Sequence, residues 1–220
     1  MKEDIPYLES WFYNLQKSIK EFKGIAIDKD IKLLFSISTT TTCKHSINKP
    51  YITPVRFLEN SLISGVVVFS QTQSIIVTNI VKDFVDGFLV DVEQKHNMKV
   101  GTNGDTLKYF QDKYFINSDR VDSGIKHGGI LSIVRAIVAN DRIIEYKAND
   151  ITVDAIWIFL STKLNYLSGK KVAIIGSGNI GSKLALKLVE SGVNVVLVRR
   201  DSSKGKLIAN AINLIKPPLS

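Results

Sequence analysis

The sequence predicts an α/β protein in two parts: an N-terminal α/β domain, then the first part of a Rossmann-type parallel-sheet domain. Three observations predict it. Residues 171–198 read as strand, glycine-rich loop, helix and strand in direct succession. Between residues 65 and 146, short β-branched runs are mixed with helical periods, without hairpin turn signals between the strands. Leu167-Ser168-Gly169-Lys170 then breaks the chain after a connecting helix. The expected boundaries are residues 1–150 for an α/β substrate or interaction domain, 151–168 for the connecting helix and linker, and 169–220 for the start of the dinucleotide domain.

Taken in order, Leu8, Trp11, Phe12, Leu15, Ile19 and Phe22 recur at helical spacing with polar residues between them, which predicts an amphipathic helix over 5–22 that stops at Gly24. The run of threonines at 39–42, Cys43 and Asn48-Lys49-Pro50 predict a loop or short strand, and residues 57–63 a second short helix. Val66-Val67-Val68-Phe69 and Ile75-Ile76-Val77 are β-branched runs suited to buried strands. From Val90 the stretch 87–95 alternates, with Asp91, Glu93 and Lys95 on its polar face. Helices are expected over 106–114 and 130–139, a strand over 142–146, and a helix over 152–166 capped by Asp150.

Composition narrows the function classes. Hydrophobic residues make up 45% and charged residues 23% of the 220, the balance of a soluble globular protein. The formal charge of +8 raises nucleic-acid binding, but the lysines are scattered from Lys2 to Lys216, as on a solvated surface, so no specific nucleic-acid partner is expected. No apolar stretch is long enough to span a bilayer, and no membrane partner is expected. The single cysteine, Cys43, fits a reducing, cytoplasmic setting. His45, His96 and His127 are not spaced as metal ligands, so no metal site is expected. His127 precedes an expected helix N-terminus, where it would be placed to meet an anion.

The chemistry concentrates after residue 170. The strand Lys171-Val172-Ala173-Ile174-Ile175 runs into Gly176-Ser177-Gly178-Asn179-Ile180-Gly181, and Ile180, Leu184, Ala185, Leu188 and Val189 mark the inner face of the helix that follows. In such a loop the first glycine makes the tight turn, the second lets the backbone approach a pyrophosphate, and the third lets helix pack on strand. The N–H groups and dipole of the helix then receive the phosphates. The second strand, 193–198, ends in Arg199-Arg200-Asp201-Ser202-Ser203-Lys204. An acidic residue there would hold the ribose of NAD, whereas arginine suits the 2′-phosphate of NADP. Arg199, Arg200 and Lys204 favour NADP, and Asp201 keeps NAD open.

Three segments also match a known pattern. Gly87-Phe88-Leu89-Val90-Asp91-Val92-Glu93-Gln94-Lys95 is similar to a Gly-Phe-Asn-Val-Thr-Val-Pro-x-Lys strand, Thr152-Val153-Asp154-Ala155 to Asn-Thr-Asp-Gly, and residues 199–204 to an Asn-Arg-Thr-x-x-Lys motif. With the dinucleotide part placed second, the chain resembles the shikimate dehydrogenase and methylene-tetrahydrofolate dehydrogenase superfamily. The resemblance implies a substrate domain first, hydride exchange with a small molecule, Lys95 as the acid–base residue and Asp154 as its partner. The sequence departs from the pattern at Leu89 and Glu93, and no Ser-x-Ser-Pro loop lies near the N-terminus. Tyr13 and Lys17 have the folate-enzyme spacing but lie on the amphipathic helix.

The leading expectation is an NADP-dependent oxidoreductase; the alternatives are a non-catalytic protein that binds or senses the dinucleotide, and a methyltransferase. After the second strand one helix is expected over 202–215. A dinucleotide domain ordinarily has two mononucleotide halves. The expectation is therefore a piece of a longer polypeptide, or a sheet completed by another chain, whether a second copy in a homo-oligomer or a different protein.

Overall fold

The structure is a computed structural model and describes residues 5–39, 49–93 and 129–214. The chain divides into two compact units, Met1–Tyr146 and Lys147–Ser220. The fold is α/β, as expected.

The first unit opens with α1 (Ile5–Asp28) and carries a five-stranded sheet, with β1 (Lys32–Ser38), β2 (Tyr51–Leu58), β3 (Ser61–Val67), β4 (Gly87–Asp91) and β5 (Ile143–Tyr146) in the order β2-β3-β1-β4-β5. β3, β1, β4 and β5 pair in parallel, and β2 joins the edge antiparallel to β3. Helices α2 (Gln71–Val81) and α3 (Ile130–Ile137) precede β4 and β5. Phe12, Leu15 and Ile19 of α1, Leu33, Phe35 and Ile37 of β1, Ile75 and Ile76 of α2, Phe88 and Val90 of β4 and Ile133 of α3 form one core. The Phe35 and Phe88 rings meet edge-on with centroids 6.3 Å apart. Each such side chain, fully buried, is worth roughly 1.5–3 kcal/mol.

Four local expectations are corrected. Helix α1 does not stop at Gly24; it continues to Asp28 because the apolar period continues through Ile25 and the fully buried Ala26. That burial outweighs the roughly 1 kcal/mol cost of an internal glycine. The reversal falls at Asp30, in the left-handed region at φ 51°, with the Ile31 N–H donating to Ala26 O. The run Ile75-Ile76-Val77 is helix, not strand: every residue of α2 is buried, so no polar face interrupts the apolar pattern. Its start is fixed by Ser70, whose Oγ accepts the Gln73 N–H, while Gln73 Oε1 accepts the Phe69 N–H. Residues 57–63 are not a helix but the turn of the β2–β3 hairpin, where Leu58 and Ser61 pair across Glu59 and Asn60. The register shifts between Thr53 and Arg56, around Pro54, which suits an edge strand. Asp91, expected on a solvated face, is 4% exposed; β4 ends there, with Asp91 Oδ1 accepting the Glu93 N–H. The helix expected over 106–114 lies outside the described residues, as do Cys43 and His127.

Asp86 ties the start of this sheet together. Its carboxylate accepts the Leu33 N–H at 2.7 Å and pairs with Lys23 Nζ at 2.8 Å. Burial pushes the Asp86 pKa up, but Lys23, the Leu33 N–H and the Arg142 charge outweigh it and hold the carboxyl below the ordinary value. A depressed folded pKa contributes stability that is present above the unfolded pKa and lost as pH falls through the folded one. Asp86→Asn is therefore expected to lower the stability of the first unit at pH 7. In urea titrations against pH, its gap from the parent chain should close below about pH 4. A gap that stays constant down to pH 3 would refute this.

The second unit comprises α4 (Ala148–Leu164), β6 (Lys171–Ile175), α5 (Asn179–Glu190), β7 (Asn194–Val198) and α6 (Ser202–Asn213). β6 and β7 pair in parallel, Lys171 opposite Asn194 through Ile175 opposite Val198. Ile174, Leu184, Ala185 and Leu188 form its core with Val153 of α4, and Val172, Val195 and Leu197 pack against them. On the opposite face Ala173, Ile175, Val196 and Val198 are exposed, Ile175 by 87%. The α4 cap is also corrected: the helix starts at Ala148 after Lys147, so Asp150 lies inside its first turn. Among the described residues no helix is long and apolar enough to cross a membrane.

Candidate functional site

The loop after β6 has each part that phosphate binding requires. Gly176 sits at φ 97°, a conformation side chains oppose, and its N–H donates to Val198 O at 2.9 Å, extending the strand pairing into the turn. Gly181 makes the close approach: a Cβ there would lie 2.2 Å from Gly176 O and 3.3 Å from Ile174 Cγ2. Between them Gly178 is the N-cap of α5, where no side chain caps the helix. The N-cap residue therefore supplies no side-chain acceptor to the orphan N–H groups of the first turn. A Cβ on Gly178 would meet nothing within 4 Å. Asn179 is exposed, whereas the Ile180 side chain packs against the core.

Ser177 is held from several sides. Its carbonyl accepts Ser182 Oγ at 3.3 Å and an Nη1–H of Arg199. Its own side chain is 1% exposed, and its Oγ has no hydrogen-bond partner among the described residues. A buried hydroxyl left in that state costs about 1–3 kcal/mol. An acceptor delivered to the loop would satisfy it, so the residues fit a phosphate group.

An open cleft of about 500 Å³ borders the loop, lined by Ile175, Gly176, Ser177 and Gly178 on one wall and by Val198, Arg199, Arg200, Asp201 and Lys204 on the other. The glycine loop and the basic strand end, separate in sequence, are thus brought together. A hollow of about 810 Å³ lies among α5, β7 and α6, but none of the loop glycines line it. It lies away from the uncapped start of α5, so the smaller cleft is the one that the glycine loop opens into.

The polar residues after β7 divide their work. Arg199 is half-buried and reaches the Ser177 carbonyl, whereas Arg200 is exposed with no partner among the described residues. Asp201 Oδ1 accepts the Lys204 N–H at 3.1 Å and caps α6; its other oxygen lies 3.7 Å from Lys204 Nζ. The carboxylate that kept NAD open is thereby engaged by its own helix.

Of the two residues assigned by resemblance, Lys95 lies outside the described residues. Asp154 projects from α4 and pairs with Lys187 of α5, one turn along from Asp150, which pairs with Lys183 at 2.6 Å. Lys187 Nζ also sits 5.0 Å from the centre of the Trp157 ring, whose Nε1–H donates to Ser191 Oγ at 2.9 Å. The Lys183 ammonium holds the Asp150 carboxyl below its ordinary pKa, with Lys147 and Lys187 adding to it. Together these contacts clamp α4 onto the helix that carries the loop. The spacing of Asp150 and Asp154 against Lys183 and Lys187, four residues in each helix, was the signal available in the sequence.

In the first unit the chain leaves β1 toward β3 on one side, while β4 leads through α3 to β5 on the other, so the carboxyl ends of β1 and β4 flank a switch point in the sheet. A cavity of about 100 Å³ lies there, bordered by Thr39, Asp91, Glu93 and the start of α3.

Residues 171–217 match the family described as NADP oxidoreductase coenzyme F420-dependent. The match runs from β6 through α6 and makes this segment similar to an NAD(P)-binding oxidoreductase family. It includes residues 199–204 but neither 87–95 nor 152–155, the other segments that resemble shikimate dehydrogenases.

Proposed function

We propose that the second unit binds NADP and that the chain is an NADP-dependent oxidoreductase acting on a small molecule. The observation that carries the reading is the uncapped start of α5 opening, past Gly178, into a cleft rimmed by Arg200 and Lys204. The first-turn N–H groups of α5 would hold the pyrophosphate, and Arg200 with Lys204 the 2′-phosphate. Engagement of Asp201 as a helix cap supports NADP over NAD. Bound there, the nicotinamide supplies or accepts a hydride. By the resemblance to shikimate and methylene-tetrahydrofolate dehydrogenases, Lys95 would handle the accompanying proton; the cavity at the carboxyl ends of β1 and β4 is where substrate would meet the first unit. The name of the matched family includes coenzyme F420, which makes a deazaflavin a substrate to test alongside small carbonyl compounds.

NADPH is expected to bind with a saturable change in nicotinamide fluorescence, at least about tenfold more tightly than NADH. Failure of both to bind would remove the proposal. A second reading, a protein that binds the dinucleotide without chemistry, is favoured by the engagement of Asp154 with Lys187 and by Leu89 and Glu93, where residues 87–95 depart from the dehydrogenase pattern. Hydride transfer lost in Lys95→Ala but retained by the parent chain would decide for the enzyme; NADPH binding without turnover on any acceptor would decide for the second reading.

A further inference from the structure

The two arginines that follow β7 stand side by side in sequence yet face opposite ways. Along the strand Val195 and Leu197 are half-buried and Val196 and Val198 exposed, and this alternation carries Arg199 to the packed face and Arg200 to solvent. On the packed face Arg199 donates to the Ser177 carbonyl, in the middle of the glycine loop. Ser182 Oγ grips the same carbonyl, and the Gly176 N–H is fixed to Val198 O. The loop is therefore held at two successive residues where β7 ends, Val198 through backbone and Arg199, just beyond it, through its guanidinium. Gly178, the next residue along, has no side-chain cap and open space above it.

We propose that Arg199 is a positioning residue, a latch that presets the phosphate loop, and that discrimination of the 2′-phosphate falls to Arg200. The proposal rests on the NADP reading for its ligands but not for its geometry. A latch under the loop acts on the pyrophosphate, which NADPH and NADH share, so its loss weakens both equally. A ligand of the 2′-phosphate acts on NADPH alone.

The experiment measures dissociation constants for NADPH and NADH in the full chain and in Arg199→Ala, Arg199→Lys and Arg200→Ala. Arg199→Ala is expected to weaken both ligands by about tenfold, the loss of one charge-assisted hydrogen bond, with their ratio unchanged. Arg199→Lys, which keeps the charge and one donor, should recover part of that loss in both. Arg200→Ala should weaken NADPH by about tenfold and leave NADH alone. An Arg199 variant that shifts the ratio as Arg200→Ala does, or leaves both constants unchanged, overturns the latch. If neither dinucleotide binds the parent chain, the NADP reading fails and hydrogen exchange of the ligand-free protein decides the latch. Faster exchange of the loop amides in Arg199→Ala, with Trp157 fluorescence unchanged, supports it, and unchanged exchange overturns it.

Discussion

Gly178→Ala is expected to weaken NADPH binding on the order of 100-fold, about 2.7 kcal/mol, while leaving the folded chain almost as stable as before. The two halves of that expectation come from one observation. A methyl group at this position meets no atom within 4 Å, and the backbone, at φ −79° and ψ −156°, is open to any residue. The cost to the fold is thus confined to exchanging a glycine N-cap for the poorer alanine, about 1 kcal/mol. The space the methyl would occupy lies over the uncapped helix start, where the pyrophosphate would approach. Calorimetric titration with NADPH and thermal melting of the same samples separate the two terms. Retained affinity would mean that the loop is a glycine-rich turn and nothing more.

The part of the molecule legible from sequence is the part whose form is set locally. β6, the loop, α5 and β7 follow from a few adjacent residues, because Gly176 at φ 97° and Gly181 against Gly176 O each answer a constraint within the same stretch. The first unit was harder to read where tertiary burial overrides local pattern. α2 has no polar face, and without one a helix and a buried strand read alike; the Ser70-Gln71-Thr72-Gln73 capping pattern was the signal that separates them. β1 is marked in the sequence only by the alternation of Leu33, Phe35 and Ile37 with less buried residues, too short a signal beside the threonine run to stand out. The β2–β3 turn uses Glu59 and Asn60, without the glycine that marks most two-residue turns.

At the site, Arg199, Arg200 and Lys204, read from the sequence as residues that favour NADP, line one cleft. It did not separate their partners, because that depends on which face of β7 each side chain takes and on where α6 begins. Asp201 illustrates the point. Its position at the strand end suggested a ribose acceptor, and only the helix start at Ser202 reveals it as a cap. Asp154 is similar: a motif match suggested proton chemistry, while the packing of α4 on α5 supplies Lys187 as its partner.

Gly181→Ala is expected to have the opposite profile from Gly178→Ala, harming fold and binding together. Its Cβ would fall 2.2 Å from Gly176 O, more than 1 Å inside contact, and the neighbours have little freedom to yield. Gly176 is tied to Val198, Ser177 to Arg199 and Ser182, and α5 is anchored by Leu184, Ala185 and Leu188 in the core. Relief must come from moving the helix off the strand, at about 1–3 kcal/mol or somewhat more. The same movement carries the first-turn N–H groups away from the loop, so NADPH affinity should fall by at least about 100-fold. The chain has two tryptophans, Trp11 on α1 and Trp157 on α4, one in each unit. In a Trp11→Phe background, denaturation followed by fluorescence therefore reports the second unit through Trp157. A second unit as stable with alanine at 181 as with glycine would show that the helix does not approach the loop this closely. Loss of binding without loss of stability would assign Gly181 to ligand contact, not to packing.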